Sequence, residues 1–124
     1  MNSRTIPRPD WNEELDSFSR QHEGWIVSVA VTDAAGRART EVCDLPLQGV
    51  SLESPGARCV SVMVGQRPDD HVTHEVSDAV DISIDHTEAG AERALRIRAS
   101  DGSTTYVEFR TPMRPDEVDG LPNL

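Results

Sequence analysis

The densest collection of chemically able side chains is Gly65-Gln66-Arg67-Pro68-Asp69-Asp70-His71, continued by Val72-Thr73-His74-Glu75. Imidazole and carboxylate are usual ligands of zinc and other divalent ions, and Asp70, His71 and His74 supply both. The spacing argues against that chemistry. His71 and His74 are three residues apart, and on a strand such residues point to opposite faces. Val72, Thr73 and Val76 favour a strand over the helix that would let the two converge. His74 shares a face with Val72 and Val76 and reads as a partly buried, hydrogen-bonded structural histidine. The segment is therefore expected to hold no metal and no catalytic residue, and to be a loop held by pairing of Arg67 with an aspartate.

A thiol nucleophile is also in the inventory, since Cys43 or Cys59 with His71 and Asp70 has the composition of a triad. Both cysteines fall in predicted strands, not at a helix N-terminus that would lower a thiol pKa, so they read as buried, inert and reduced. His86 closes the Val80/Ile82/Ile84 face and reads as a core-edge histidine. No phosphate-cradling Gly-rich loop, nucleophile elbow or C-x-x-C pair occurs. The second polar concentration is Ser19-Arg20-Gln21-His22-Glu23-Gly24-Trp25. Arg20, His22, Arg67, Asp70, His71 and His74 together form the candidate ligand or partner surface, provided that the two segments meet in space.

The elements that must position these residues change period along the chain. Residues 1–9 read as an extended lead-in, with Pro7 and Pro9 discouraging helix. Asp10 has the character of an N-cap, with Glu13 completing a capping box. Trp11, Leu15, Phe18 and His22 then recur at helical spacing, predicting an amphipathic helix over about 11–22 that Gly24 stops. From Trp25 the period is two. Trp25, Val27, Val29 and Val31 share a face, and Asp33-Ala34-Ala35-Gly36 turns the chain into a strand over about 37–45. Pro46 and Gly49 bend or end that strand before Val50–Leu52. Cys59–Val64 has the near-continuous apolar run of a strand covered on both sides. Val72–Val76 and Val80–His86 alternate.

The last hairpin allows a register argument. Leu95, Ile97 and Ala99 are at odd positions, as are Thr105, Val107 and Phe109, and both sets must reach one core. A two-residue loop would pair odd with even positions and put one set in water. The loop must therefore be Ser100-Asp101-Gly102, with Gly102 in the left-handed region. Arg96, Arg98, Tyr106, Glu108 and Arg110 then form a polar layer on the other face. Residues 112–124 read as an irregular tail with at most one turn of helix near Asp116–Asp119, leaving 10–111 as one domain.

Composition bounds what such a domain does. The 124 residues are 36% hydrophobic and carry a net charge of −10, from 22 carboxylates against 12 basic residues that are all arginine. The acids are scattered and form no acidic tail. Nucleic acid is disfavoured as a partner, because phosphate contacts need a basic patch and the overall field is repulsive. No run approaches a membrane span or a signal peptide, so no membrane role and a cytoplasmic location are expected.

Four peptides carry a resemblance: Trp11 with Leu15-Asp16-x-Phe18-Ser19-Arg20-Gln21-His22-x-Gly24-Trp25; Asp44-Leu45-Pro46-Leu47-x-Gly49-Val50; Val64-Gly65-x-Arg67-Pro68-x-Asp70-His71-Val72-Thr73-His74; and Phe109-Arg110-x-Pro112-Met113. Across nearly its whole length the chain resembles a family of short bacterial proteins known as a domain of unknown function. The resemblance implies a stand-alone bacterial cytoplasmic protein, and no activity, cofactor or catalytic residue follows from it. The fold expected is α+β: the helix packs on a bent antiparallel sheet of about six or seven strands, with a small open barrel as the more closed form. The function expected is a non-enzymatic interaction or accessory module, binding a protein partner or itself and needing no cofactor. The alternative is a small-ligand-binding or metal-dependent enzyme using the 65–74 loop.

Overall fold

The computed structural model describes residues 2–54, 56–67 and 69–113. The apolar stripe forms helix α1 (Trp11–His22), with Trp11, Leu15, Phe18 and His22 all buried. Its entry differs from the capping box expected. Pro7 and the residues after it wind a 3-10 turn (Arg8–Asp10) in which the Asp10 amide donates to Pro7 O. Asp10 is already in the helical region and its carboxylate caps nothing. Glu13 and Glu14 in the first turn suit the helix dipole. Gly24, at φ +87°, ends the helix and sends its N–H to Leu47 O.

Eight strands form one open antiparallel sheet among the described residues: β1 (Asn2–Thr5), β2 (Ile26–Thr32), β3 (Ala38–Leu52), β4 (Val60–Val64), β5 (Val72–Val76), β6 (Ala79–His86), β7 (Glu92–Ala99) and β8 (Thr104–Met113). Their order is β1-β6-β7-β8-β2-β3-β4-β5. The helix-on-sheet architecture is as expected, and the strand count is higher because the lead-in contributes β1, which pairs with β6. The tail expected over 112–124 lies outside the described residues beyond Met113, where β8 ends.

Strand β3 shapes the sheet. The break expected at Pro46 and Gly49 is instead a change of partner: residues 38–46 pair with β2, and residues 47–52 with β4. Pro46 has no N–H for a ladder, so a strand that switches neighbours there is a place that tolerates it. A bulge at Cys43–Asp44, with Asp44 at φ +53°, adds to the bend, and Ser28 Oγ accepts the Asp44 N–H. The sheet curls far enough that His74 of β5 meets Thr105 of β8, although three strands lie between them in the sheet order. At the other end α1 fills the concave face, and Phe18 stacks on Phe109. The buried side chains of helix and strands form one cluster.

Two bulges correct face assignments. Pairing slips between Ala79 and Asp81, so Val80 leaves the Ile82/Ile84 face and is 43% exposed while Ala79 is buried. Cys43 is exposed and Cys59 half-buried, against the buried thiols expected. The bulge beside Cys43 interrupts its strand, and Cys59 precedes β4. Strand β4 buries Val60, Val62 and Val64 on one face only and leaves Ser61 and Met63 half-covered, short of the two-sided burial expected. The β7–β8 hairpin follows the register argument. Leu95 pairs with Val107 and Ile97 with Thr105, and Gly102 has φ +89°.

Candidate functional site

His22 is the last residue of α1, one turn beyond Phe18, so the stripe that buries Phe18 also carries the imidazole inward. It is 1% exposed, and its ring lies 4.4 Å from that of Phe18, 4.8 Å from Phe109 in a stacked geometry and 4.5 Å from the Trp25 edge. Its Nδ1 lies 2.7 Å from Phe18 O. A carbonyl only accepts, so Nδ1 carries a proton. Its Nε2 lies 3.0 Å from Glu92 Oε1.

The hydrogen bond to His22 holds the Glu92 carboxyl below the usual glutamate range. Burial opposes this, and the charges of His22, His86 and Arg4 reinforce it. Nε2 faces this carboxylate, so both ring nitrogens are engaged. The pair is buried, hydrogen-bonded and stacked on aromatic faces, conditions that offset the cost of taking charge out of water. With both nitrogens engaged, His22 offers no lone pair to a metal or a substrate. It also lies beneath the surface on which the sequence placed it.

The 65–71 loop is built around Asp70. Its Oδ1 accepts the Gln66 N–H at 2.9 Å and the Arg67 N–H at 2.8 Å. Asp70 thus grips the backbone of Arg67, where pairing with the guanidinium was expected. Gly65, at φ +101°, passes so close to Asp70 that an added Cβ would lie 2.4 Å from Asp70 O. The Gly65 N–H donates to Pro46 O, and the Gln48 side-chain amide donates to Gly65 O. Gln66, Arg67, Asp69 and His71 are exposed on this frame.

His74 points inward, its Nε2 3.4 Å from Thr105 Oγ1. Burial pushes its pKa down, Glu41 opposes and Arg39 adds to the fall, so the ring is neutral at pH 7. This is the structural histidine expected. Asp70, His71 and His74 do not converge, and no three His, Cys, Asp or Glu side chains among the described residues could hold a metal ion. Desolvation pushes the Cys59 thiol up, with Glu75 and Glu53 adding to it.

The helix end and the loop do meet, through the backbone of β3. Gly24 and Trp25 bond Leu47, and Gly65 bonds Pro46 next to it. Their side chains do not join. Arg20 is exposed on the outer helix face beside Glu13, Asp16 and Ser17, and no hydrogen bond or ion pair among the described residues links it or His22 to Arg67, Asp70 or His71. Sequence reasoning missed Glu92 and Ser19. Ser19 Oγ accepts the Val50 N–H at 2.8 Å and lies 2.8 Å from Leu15 O and 2.9 Å from Val50 O, fastening α1 to β3.

Fold and site together define a small α+β domain whose helix is latched into a curled sheet by a buried His–Glu pair, with a hydrogen-bonded polar loop beside the joint. The chain belongs to DUF5335, a family of unknown function, whose model matches residues 2–118. Neither the curated proteins nor the solved structures contain a match to it. No helix among the described residues is long and apolar enough to cross a membrane.

Proposed function

We propose that the protein is a non-enzymatic interaction module of the bacterial cytoplasm, binding a protein partner through the 65–71 loop and the adjoining edge of β5. The observation that carries this reading is the contrast within the loop. Its backbone is fixed by Asp70, Gly65 and Gln48, while the side chains of Arg67, Asp69 and His71 stand exposed. Side chains on a pre-organised backbone bind without the cost of ordering a loop. Beside them Val72, 38% exposed, opens the edge strand, which offers unpaired backbone groups to an extended segment.

The test is a photo-crosslinking amino acid at position 71 in the native host, followed by affinity measurement with the protein it captures. The double variant Arg67→Ala/His71→Ala is expected to keep its melting temperature and lose about tenfold or more in affinity. Equal affinity in the variant would overturn the reading, as would turnover or stoichiometric bound metal in the purified protein.

A further inference from the structure

The outward face of β6, β7 and β8 carries a grid of polar side chains. Register sets Asp81 beside Arg98 and Thr104, and Ser83 beside Arg96 and Tyr106. These six residues line a depression of about 240 Å³. Ser83 is the most deeply buried of them, at 2% exposed, and its Oγ lies 3.3 Å from Thr5 Oγ1. Five of the six carry hydrogen-bond donors, and only Asp81 is acceptor-only when ionised.

Both guanidiniums are loosely engaged. Arg98 Nη2 lies 3.5 Å from Asp81 Oδ2, and Arg96 Nη2 lies 3.5 Å from Asp85 Oδ1 and 3.5 Å from Ser3 Oγ. Close charge-assisted bonds are shorter, at about 2.7–2.9 Å, and each guanidinium has five N–H groups. Most of this donor capacity is therefore not taken up by Asp81 and Asp85. The Arg98–Asp81 pair is exposed and holds its partner weakly, so an incoming anion displaces it at little cost, whereas Asp85 beside Arg96 is more covered.

We propose that this depression is an oxyanion site, taking a small phosphate or carboxylate between Arg96 and Arg98 with the hydroxyls of Tyr106, Ser83 and Thr104 as further donors. It lies on strands separate from the 65–71 loop and does not depend on the partner reading above. The net charge of −10 opposes any anion, so binding is weak.

The test is an amide NMR titration of the full chain at fixed ionic strength with inorganic phosphate, and in a second arm with succinate. Saturable shifts confined to residues around 81–83, 96–98 and 104–106 are expected, weakened about tenfold or more in Arg98→Gln. Arg98 reaches well into solvent, and Arg96→Gln is a second variant that keeps the stem and the polar head. Saturation by phosphate alone assigns phosphoryl ligands, by succinate alone carboxylates, and by both a general oxyanion site. Shifts that fail to saturate in both arms, or that persist unchanged in the Arg96→Gln/Arg98→Gln double variant, overturn the proposal.

Discussion

The imidazole of His22 and the carboxylate of Glu92, seventy residues apart in the chain, meet at 3.0 Å inside the protein. Helix α1 packs chiefly on β3, whereas Glu92 opens β7, on the far side of β8 and β2 in the sheet. The contact therefore fastens the helix to the half of the sheet that its main packing does not reach. Phe109 of β8, stacked on the same ring, fills the space between.

Removing the carboxylate should expose the value of that fastening. Glu92→Ala leaves a buried imidazole nitrogen without a partner and is expected to cost about 3 kcal/mol, measured by urea unfolding. Glu92→Gln keeps a hydrogen-bonding side chain opposite Nε2 and is expected to cost about 1 kcal/mol. Equal losses in the two variants would contradict the hydrogen-bond assignment.

Acid should act in two separate windows. Glu92 sits below its ordinary value of 4.5, so its stabilisation is complete above that pH and is lost as pH falls through the lower folded value. His74 sits below its ordinary value of 6.5 because burial favours the neutral ring. The unfolded chain binds the His74 proton more readily than the folded one, so stability falls as pH drops from 6.5 through the folded value. His74→Gln should flatten the upper window and Glu92→Gln the lower, in unfolding free energies followed from pH 8 to pH 3.

The hydroxyl of Ser19 should matter more than a half-buried serine normally does. Ser19→Ala strands the Val50 N–H between helix and strand and is expected to cost about 1–3 kcal/mol. Hydrogen exchange at Val50 should speed up in the same variant.

The loop frame should fail at either of two points. Gly65→Ala forces a side chain into the left-handed region against Asp70 O and is expected to cost about 1–3 kcal/mol. Asp70→Ala removes the acceptor of two N–H groups and is expected to cost about 1 kcal/mol, as helix-cap losses do. Thermal melts of both variants, beside Arg67→Ala with little change, would separate the frame from the side chains it presents.

The legible parts of this fold were those set by local spacing. The Trp11/Leu15/Phe18/His22 stripe has one period and one outcome, and the parity of Leu95–Ala99 against Thr105–Phe109 admits one hairpin loop. What escaped depends on distant pairing. Strand β1 exists because β6 lies beside it, and nothing in Asn2–Thr5 announces that neighbour. Pro46 and Gly49 read as breaks because a single-strand view lacks the change of partner that accommodates them. Glu92 shares the parity of the outward residues of β7, and a slip in pairing between Glu92 and Ala94 places it inward instead. The one available signal was His22 itself, since an imidazole on a buried stripe needs a polar partner from somewhere.

The sheet order has a consequence for how the chain reaches this state. Strands β2-β3-β4-β5 and β6-β7-β8 are two meanders, each made of neighbours in sequence, and β8 joins them by pairing with β2. Hairpins of near neighbours form within about 1–10 μs, whereas a pairing between residues 27–32 and 104–109 must first close more than half of the chain into a loop. Trp25 meets Phe109 at this seam, at a ring distance of 4.9 Å. In a protein lacking Trp11, its fluorescence would therefore report the closing of this seam, where the two meanders become one sheet.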